Sequence, residues 1–152
     1  MRAFIPLFFL VALASCDAAS QSRASALSVE QAWAAPTPAG VDVSAGYLTI
    51  TNGSGAEDRL LSATSPRAAR VEIHEMSMDG SVMRMRAVEN LAVPAGQAVE
   101  FAPGGMHLMF FGVNEPFTQG QNVPVRLTFE TAGQIDVTLP VRRTAPRSHS
   151  GH

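Results

Sequence analysis

The sequence predicts an all-β domain built as an antiparallel sandwich, and three observations lead there. Between Leu27 and Val141, apolar and polar residues alternate over short runs, the period of a strand with one buried face. Turn residues (Gly, Pro, Asn, Asp) interrupt those runs every 8–12 residues or so, the rhythm of a sandwich. No stretch beyond the N-terminal segment holds a 3.6-residue apolar period for more than two turns. With 152 residues, 46% of them apolar, the chain can build one core.

Taken in order, Leu27 to Ala35 is compatible with either a strand or a short helix, and Trp33 within it reads as a core or hairpin anchor. Val41 to Thr51 is a strand ending in the turn Asn52-Gly53-Ser54-Gly55. Asp58 to Thr64, Arg70 to Met78 and Val82 to Val88 follow, the last two joined by the hairpin signal Asp79-Gly80. Ala98 to Phe101, Met106 to Val113, Val123 to Thr131 and Ile135 to Val141 complete the set, with Ala132-Gly133 as a second tight turn.

The ends of the chain have other tasks. Residues 1–15 carry Arg2 and an apolar run from Phe4 to Leu13, too short to span a bilayer and suited to an export signal. Leu13-Ala14-Ser15-Cys16 resembles a bacterial lipobox, in which cleavage precedes a cysteine that becomes a lipid thioether. Cys16 is therefore expected to be lipidated, the alternative being an ordinary export signal with Cys16 lost or left free, and Asp17 resembles an inner-membrane retention signal. Residues 16–26 read as a polar tether, 27–142 as the domain, and 143–152 as a basic tail lacking an apolar anchor. The expected location is the periplasm, on a lipid anchor.

Composition excludes several functions. The eleven basic residues are all Arg, against thirteen acidic ones, for a formal charge of −2. Lysine Schiff-base chemistry is excluded, and a broad nucleic-acid surface is not expected. One cysteine rules out an internal disulfide, a CxxC pair and a Cys-rich zinc site. No Ser-His-Asp or Cys-His arrangement is legible, so an enzyme is not expected.

Methionine is the anomaly. Six of the seven Met fall between Met76 and Met109, a window that also holds His74 and His107. In a strand, residues i and i+2 share a face. His74, Met76 and Met78 therefore share one, Met83 and Met85 another, and His107 and Met109 a third, with Met106 facing away. Three strands could bring His74, Met85, His107 and Met109 to one point. Thioether sulfur is soft and neutral, which disfavours calcium, magnesium and zinc, whereas thioether with imidazole suits Cu(I). Four neutral ligands leave the site at +1, which limits the cost of burying charge. Met is also a common core filler, and by chemistry alone copper binding and core packing both stand. Met76, Met78, Met83 and Met106 read as rim or core and not as ligands. Arg84 and Arg86 alternate with Met83 and Met85 and should face away from them.

The segment resembles the periplasmic PCuAC-type copper chaperones, whose motif is His, ten residues, Met, twenty-one residues, His, one residue, Met. His74, Met85, His107 and Met109 match it in type and spacing. HEMSMDGSVMRMR, LAVPAGQAVEFAPGGMHLMFFG and VPVRLTFETAGQIDVTLPV look like the family too, and the likeness runs from about Leu27 to Val141. The resemblance implies a cupredoxin-like antiparallel Greek-key β-sandwich holding one Cu(I) near its surface. It also implies delivery to the assembly of the dinuclear copper centre of a respiratory cytochrome oxidase. The partner would be that copper-centre subunit or another chaperone of the pathway, and the carrier is expected to be a monomer. His149 and His152 in the tail are candidates for a secondary Cu(II) site, or two solvated residues. The alternative purpose is periplasmic copper buffering or acquisition. A blue-copper carrier would need a thiolate ligand, and Cys16 sits at the processed end. A metal-free lipoprotein with a Met contact surface is the remaining rival.

Overall fold

A computed structural model describes residues 27–144; Cys16, the tether, His149 and His152 lie outside them. The strands are β1 (Leu27–Ala34), β2 (Val43–Asn52), β3 (Asp58–Thr64), β4 (Ala68–Asp79), β5 (Val82–Ala87), β6 (Leu91–Val93), β7 (Ala98–Phe101), β8 (Met106–Val113), β9 (Asn122–Phe129) and β10 (Gly133–Pro140), with no helix among the described residues. Hydrogen bonding runs β1-β2-β8-β4-β3-β9-β10, with β5 on β4, β6 on β3 and β7 on β2. Every strand pairing is antiparallel. The two ends of that path meet at a parallel bridge, Ala34 to Val141, so the sheet curls to near closure and leaves little free edge. The expected β fold is borne out.

Alternation places the core. In β2 the even positions Ser44 to Asn52 are buried, and in β9 Val123, Val125, Leu127 and Phe129 point inward. Phe110 of β8 is fully buried edge-on against Phe117, ring centroids 5.3 Å apart. Gly46 allows that ring to sit close: a Cβ there would stand 2.8 Å from both Phe110 and Leu139.

The open reading of Leu27 to Ala35 resolves as a strand with a bulge. Register slips between Glu30 and Trp33, and Gln31 takes φ 52°, a left-handed conformation. One extra residue breaks the two-residue alternation, which is why the sequence fitted two periods. Trp33 is buried and packs on Tyr47, centroids 4.5 Å apart, as an anchor should. β6 has no counterpart in the sequence reading, because three residues carry no alternation; its pairing with β3 creates it.

Two buried polar side chains tie the turns. Asn52 donates to the carbonyls of Ala56 and Val93 at 2.8 and 2.9 Å, and its Oδ1 accepts from Ser54. Asp58 accepts from the amides of Arg59, Thr131 and Ala132 at 2.7, 2.8 and 2.8 Å. It thereby fastens the start of β3 to the β9–β10 turn.

Candidate functional site

β4 is the strand on which the site is built. Along one edge it pairs with β8, setting His74 opposite His107 and Glu72 opposite Met109. Its outer half pairs with β5, setting Met76 opposite Met85 and His74 opposite Ala87. Directly opposed residues share a face, so His74, His107, Met109, Met85 and Glu72 all stand on one side of the sheet. Leu108 and Phe110 occupy the other side of β8 and are wholly buried. The alternation that sinks them in the core turns His107 and Met109 towards the site.

The two imidazoles touch. Their centroids are 5.9 Å apart, with Phe111 packed on His74 at 5.8 Å. His107 is 4% exposed and the His74 side chain 13%, so both are largely withdrawn from water. The thioethers flank the pair. Met109 sits diagonal to His74 on β8 and is half-buried, whereas Met85 sits on the opposite diagonal and is 45% exposed. Diagonal neighbours are spaced about 7–8 Å, within reach of a long side chain.

Hydrogen bonds decide which ring nitrogens are free. His74 Nε2 lies 2.8 Å from a Glu72 carboxylate oxygen. A carboxylate only accepts, so in the neutral imidazole Nε2 holds the proton and Nδ1 keeps a lone pair. That Nδ1 is buried and has no hydrogen-bond partner among the described residues. His107 Nδ1 stands 3.1 Å from the Gly105 carbonyl and donates to it, which leaves Nε2 as its lone-pair nitrogen. Each ring thus has one nitrogen anchored and one held open, the arrangement that orients imidazole ligands.

Glu72 is itself held. Its bond to His74, and then the 2.7 Å bond from Arg70 Nε, keep the carboxyl below the ordinary carboxylate range. Arg70 in turn lies over the Phe111 ring at 4.1 Å. Sequence reasoning missed Glu72. The available signal was its i−2 spacing from His74, which puts a carboxylate on the same face.

Arg84 and Arg86 face away as expected, pairing with Asp79 and Glu75 on the far side of the hairpin. Of the remaining methionines, only Met106 packs against the core. Met78 and Met83 are 63% and 61% exposed, which removes core packing as their explanation. Among the described residues, no cluster of three or more His, Cys, Asp or Glu could hold a metal.

Residues 27–141 match the family model described as "Putative lipoprotein LpqE-like". The chain belongs to the LpqE-like family. A relative from Leifsonia xyli subsp. xyli, named as a putative lipoprotein, is 29% identical over 121 residues, covering 79% of this chain and 72% of that one. Among solved structures, the copper-bound PCuAC domain from PmoF2 superposes with a TM-score of 0.68 at 21% identity, over 78% of this chain and 94% of that domain. The Cu(I) form of DR1885 from Deinococcus radiodurans superposes with a TM-score of 0.60 at 27% identity, over 84% and 87% of the two chains. The LpqE-like domain therefore has the PCuAC fold, and the family resemblance drawn from the sequence is borne out.

Glu72→Gln in the LpqE-like domain keeps the size of the side chain but removes the charge that fixes the His74 tautomer. Metal affinity is expected to fall about tenfold, the lower end for an outer partner of a ligand. Competitive Cu(I) titration of parent and variant measures it, and equal affinities would detach Glu72 from the site.

Proposed function

We propose that this protein is a Cu(I) metallochaperone of the periplasm, with His74, Met85, His107 and Met109 as the copper ligands and Cys16 as its lipid anchor. The observation that carries the reading is the buried Nδ1 of His74, an acceptor with no partner, beside a second imidazole whose own proton is held at Gly105. Burying a polar atom unpaired costs about 1–3 kcal/mol, a penalty that a metal ion would remove. The donor types select the ion. Two imidazoles alone are too few for a structural zinc site, and the carboxylate on this face, Glu72, is engaged by His74 and Arg70, so thioethers are the donors left free. The names of the PmoF2 and DR1885 structures supply independent support for copper.

The geometry also suits a carrier. His74, His107 and Met109 sit on adjacent central strands, a rigid half-cage. Met85 sits on the exposed hairpin arm, so it is the ligand that a recipient's donor atoms would displace first. Copper stays Cu(I) throughout: one Cu–S bond breaks as another forms, and no electron moves. Glu72 lends negative charge beside a site that would carry +1 and favours the filled state.

The recipient we propose is the dinuclear copper centre of a respiratory cytochrome oxidase, reached directly or through another chaperone. His149 and His152 are proposed as a secondary Cu(II) site. Competitive Cu(I) titration of the full chain is expected to show one tightly held ion, with Cu–S scattering at the copper K-edge. Affinity no better than that of scattered surface groups would overturn the copper reading. Mixing the loaded chain with the apo copper domain of an oxidase is expected to move the ion. Retention of copper by this chain would favour buffering or acquisition instead.

A further inference from the structure

β4 and β5 run on beyond the His pair as a two-stranded arm closed by the two-residue turn Gly80-Ser81. Register sets Met76 opposite Met85 and Met78 opposite Met83, two rungs of thioethers on the face that carries His74. Directly opposed side chains start from Cβ atoms about 5 Å apart, so the two sulfurs of a rung can meet one ion. None of the four belongs to the core or packs against it. The other face of the arm is complete without them, with the ion pairs Arg84–Asp79 and Arg86–Glu75. Core packing and solubility both fail to explain a row of four thioethers, three of them exposed and Met76 half-buried, and an ordinary docking patch would be served as well by Leu or Ile.

We infer that Met78 and Met83, with Met76 behind them, form a second and weaker Cu(I) site at the tip of the arm, from which the ion passes along the Met76–Met85 rung to the His74–His107 pair. The passage rests on the copper reading above; the tip site does not. Thioether sulfur carries no proton, so binding Cu(I) at the tip displaces none. Each step exchanges one neutral Cu–S or Cu–N bond for another, with copper remaining Cu(I). The intermediate rung lies two residues along β4 from each end, the next position on the same face, so the ion need not be released to water.

Ag(I), a soft closed-shell ion like Cu(I), is the probe, read through the methyl signals of 13C-labelled methionine in the full chain. In the variant His74→Ala/His107→Ala, the Met78 and Met83 methyls are expected to shift together and saturate with a single ion, at about pH 5 as at about pH 7. Met78→Leu/Met83→Leu should abolish that response. With both histidines present, the same variant should fill the His pair more slowly but to the same final occupancy. Methyls of Met78 and Met83 that stay unmoved by Ag(I), as they would on a patch that only docks protein, would overturn the tip site. An unchanged filling rate would overturn the passage. If the His pair itself does not bind, the parent shows no tighter ion while the tip response persists, so the two failures read differently.

Discussion

His107→Ala is expected to weaken Cu(I) binding by more than the 10–100-fold or so that loss of an outer partner costs. His107 sits in the least replaceable position of the four. It is buried, directly opposite His74, with Nδ1 held by Gly105 and Nε2 left open, and no other imidazole is near among the described residues. Met85 is the opposite case: it is exposed, and Met76 and Met83 stand beside it on the same face, able to take its place. Competitive Cu(I) titration should therefore rank His107→Ala well below Met85→Leu. His107 stands outside the hydrophobic cluster but is buried, so thermal unfolding of the variant is measured beside the titration to separate lost packing from a lost ligand. Parent-like affinity in His107→Ala would remove this residue from the site.

Asp58→Ala is expected to cost about 2–4 kcal/mol of stability, because it strands three amides that one carboxylate now satisfies. Against a domain total of about 5–15 kcal/mol that is a large share. Burial alone would push the Asp58 carboxyl up, yet the amides of Thr131, Arg59 and Ala132 together outweigh it and hold the group below its ordinary value. The sign follows from linkage. A carboxyl whose folded value is depressed adds stability above its unfolded value, near pH 4, and that contribution is lost as pH falls through the lower folded value. Urea unfolding of parent and variant should show the full difference at neutral pH and a smaller one in acid. All of these partners belong to β3 and the β9–β10 turn, so Cu(I) affinity of the folded variant should match the parent. A difference independent of pH would show that the carboxylate charge is not what stabilises the turn.

Much of this architecture was legible before any coordinates. β3, β7 and β8 begin and end where alternation and turn residues placed them, because each has one face in the core and sharp chain breaks at both ends. The β4–β5 hairpin was readable from Asp79-Gly80, where Gly80 takes φ 63° as a two-residue turn requires. β1 and β6 were not fully legible, one through its bulge and the other through its brevity. For the site, i+2 parity put His107 and Met109 on one face, and the resemblance to the PCuAC motif singled out His74, Met85, His107 and Met109 as the candidate ligands.

Sequence alone thus determined most of the strands, their faces and the chemical softness of the candidate donors, since these follow from local periodicity and side-chain type. Only the tertiary structure decided that β8 lies beside β4, which sets His74 against His107 from 33 residues away. It alone decided that Glu72 and Gly105 hold the outer protons of the two rings, and that four of the six clustered methionines line one face of the arm. The reason is physical: periodicity constrains which way a side chain points, whereas register between distant strands is chosen by the core they bury together.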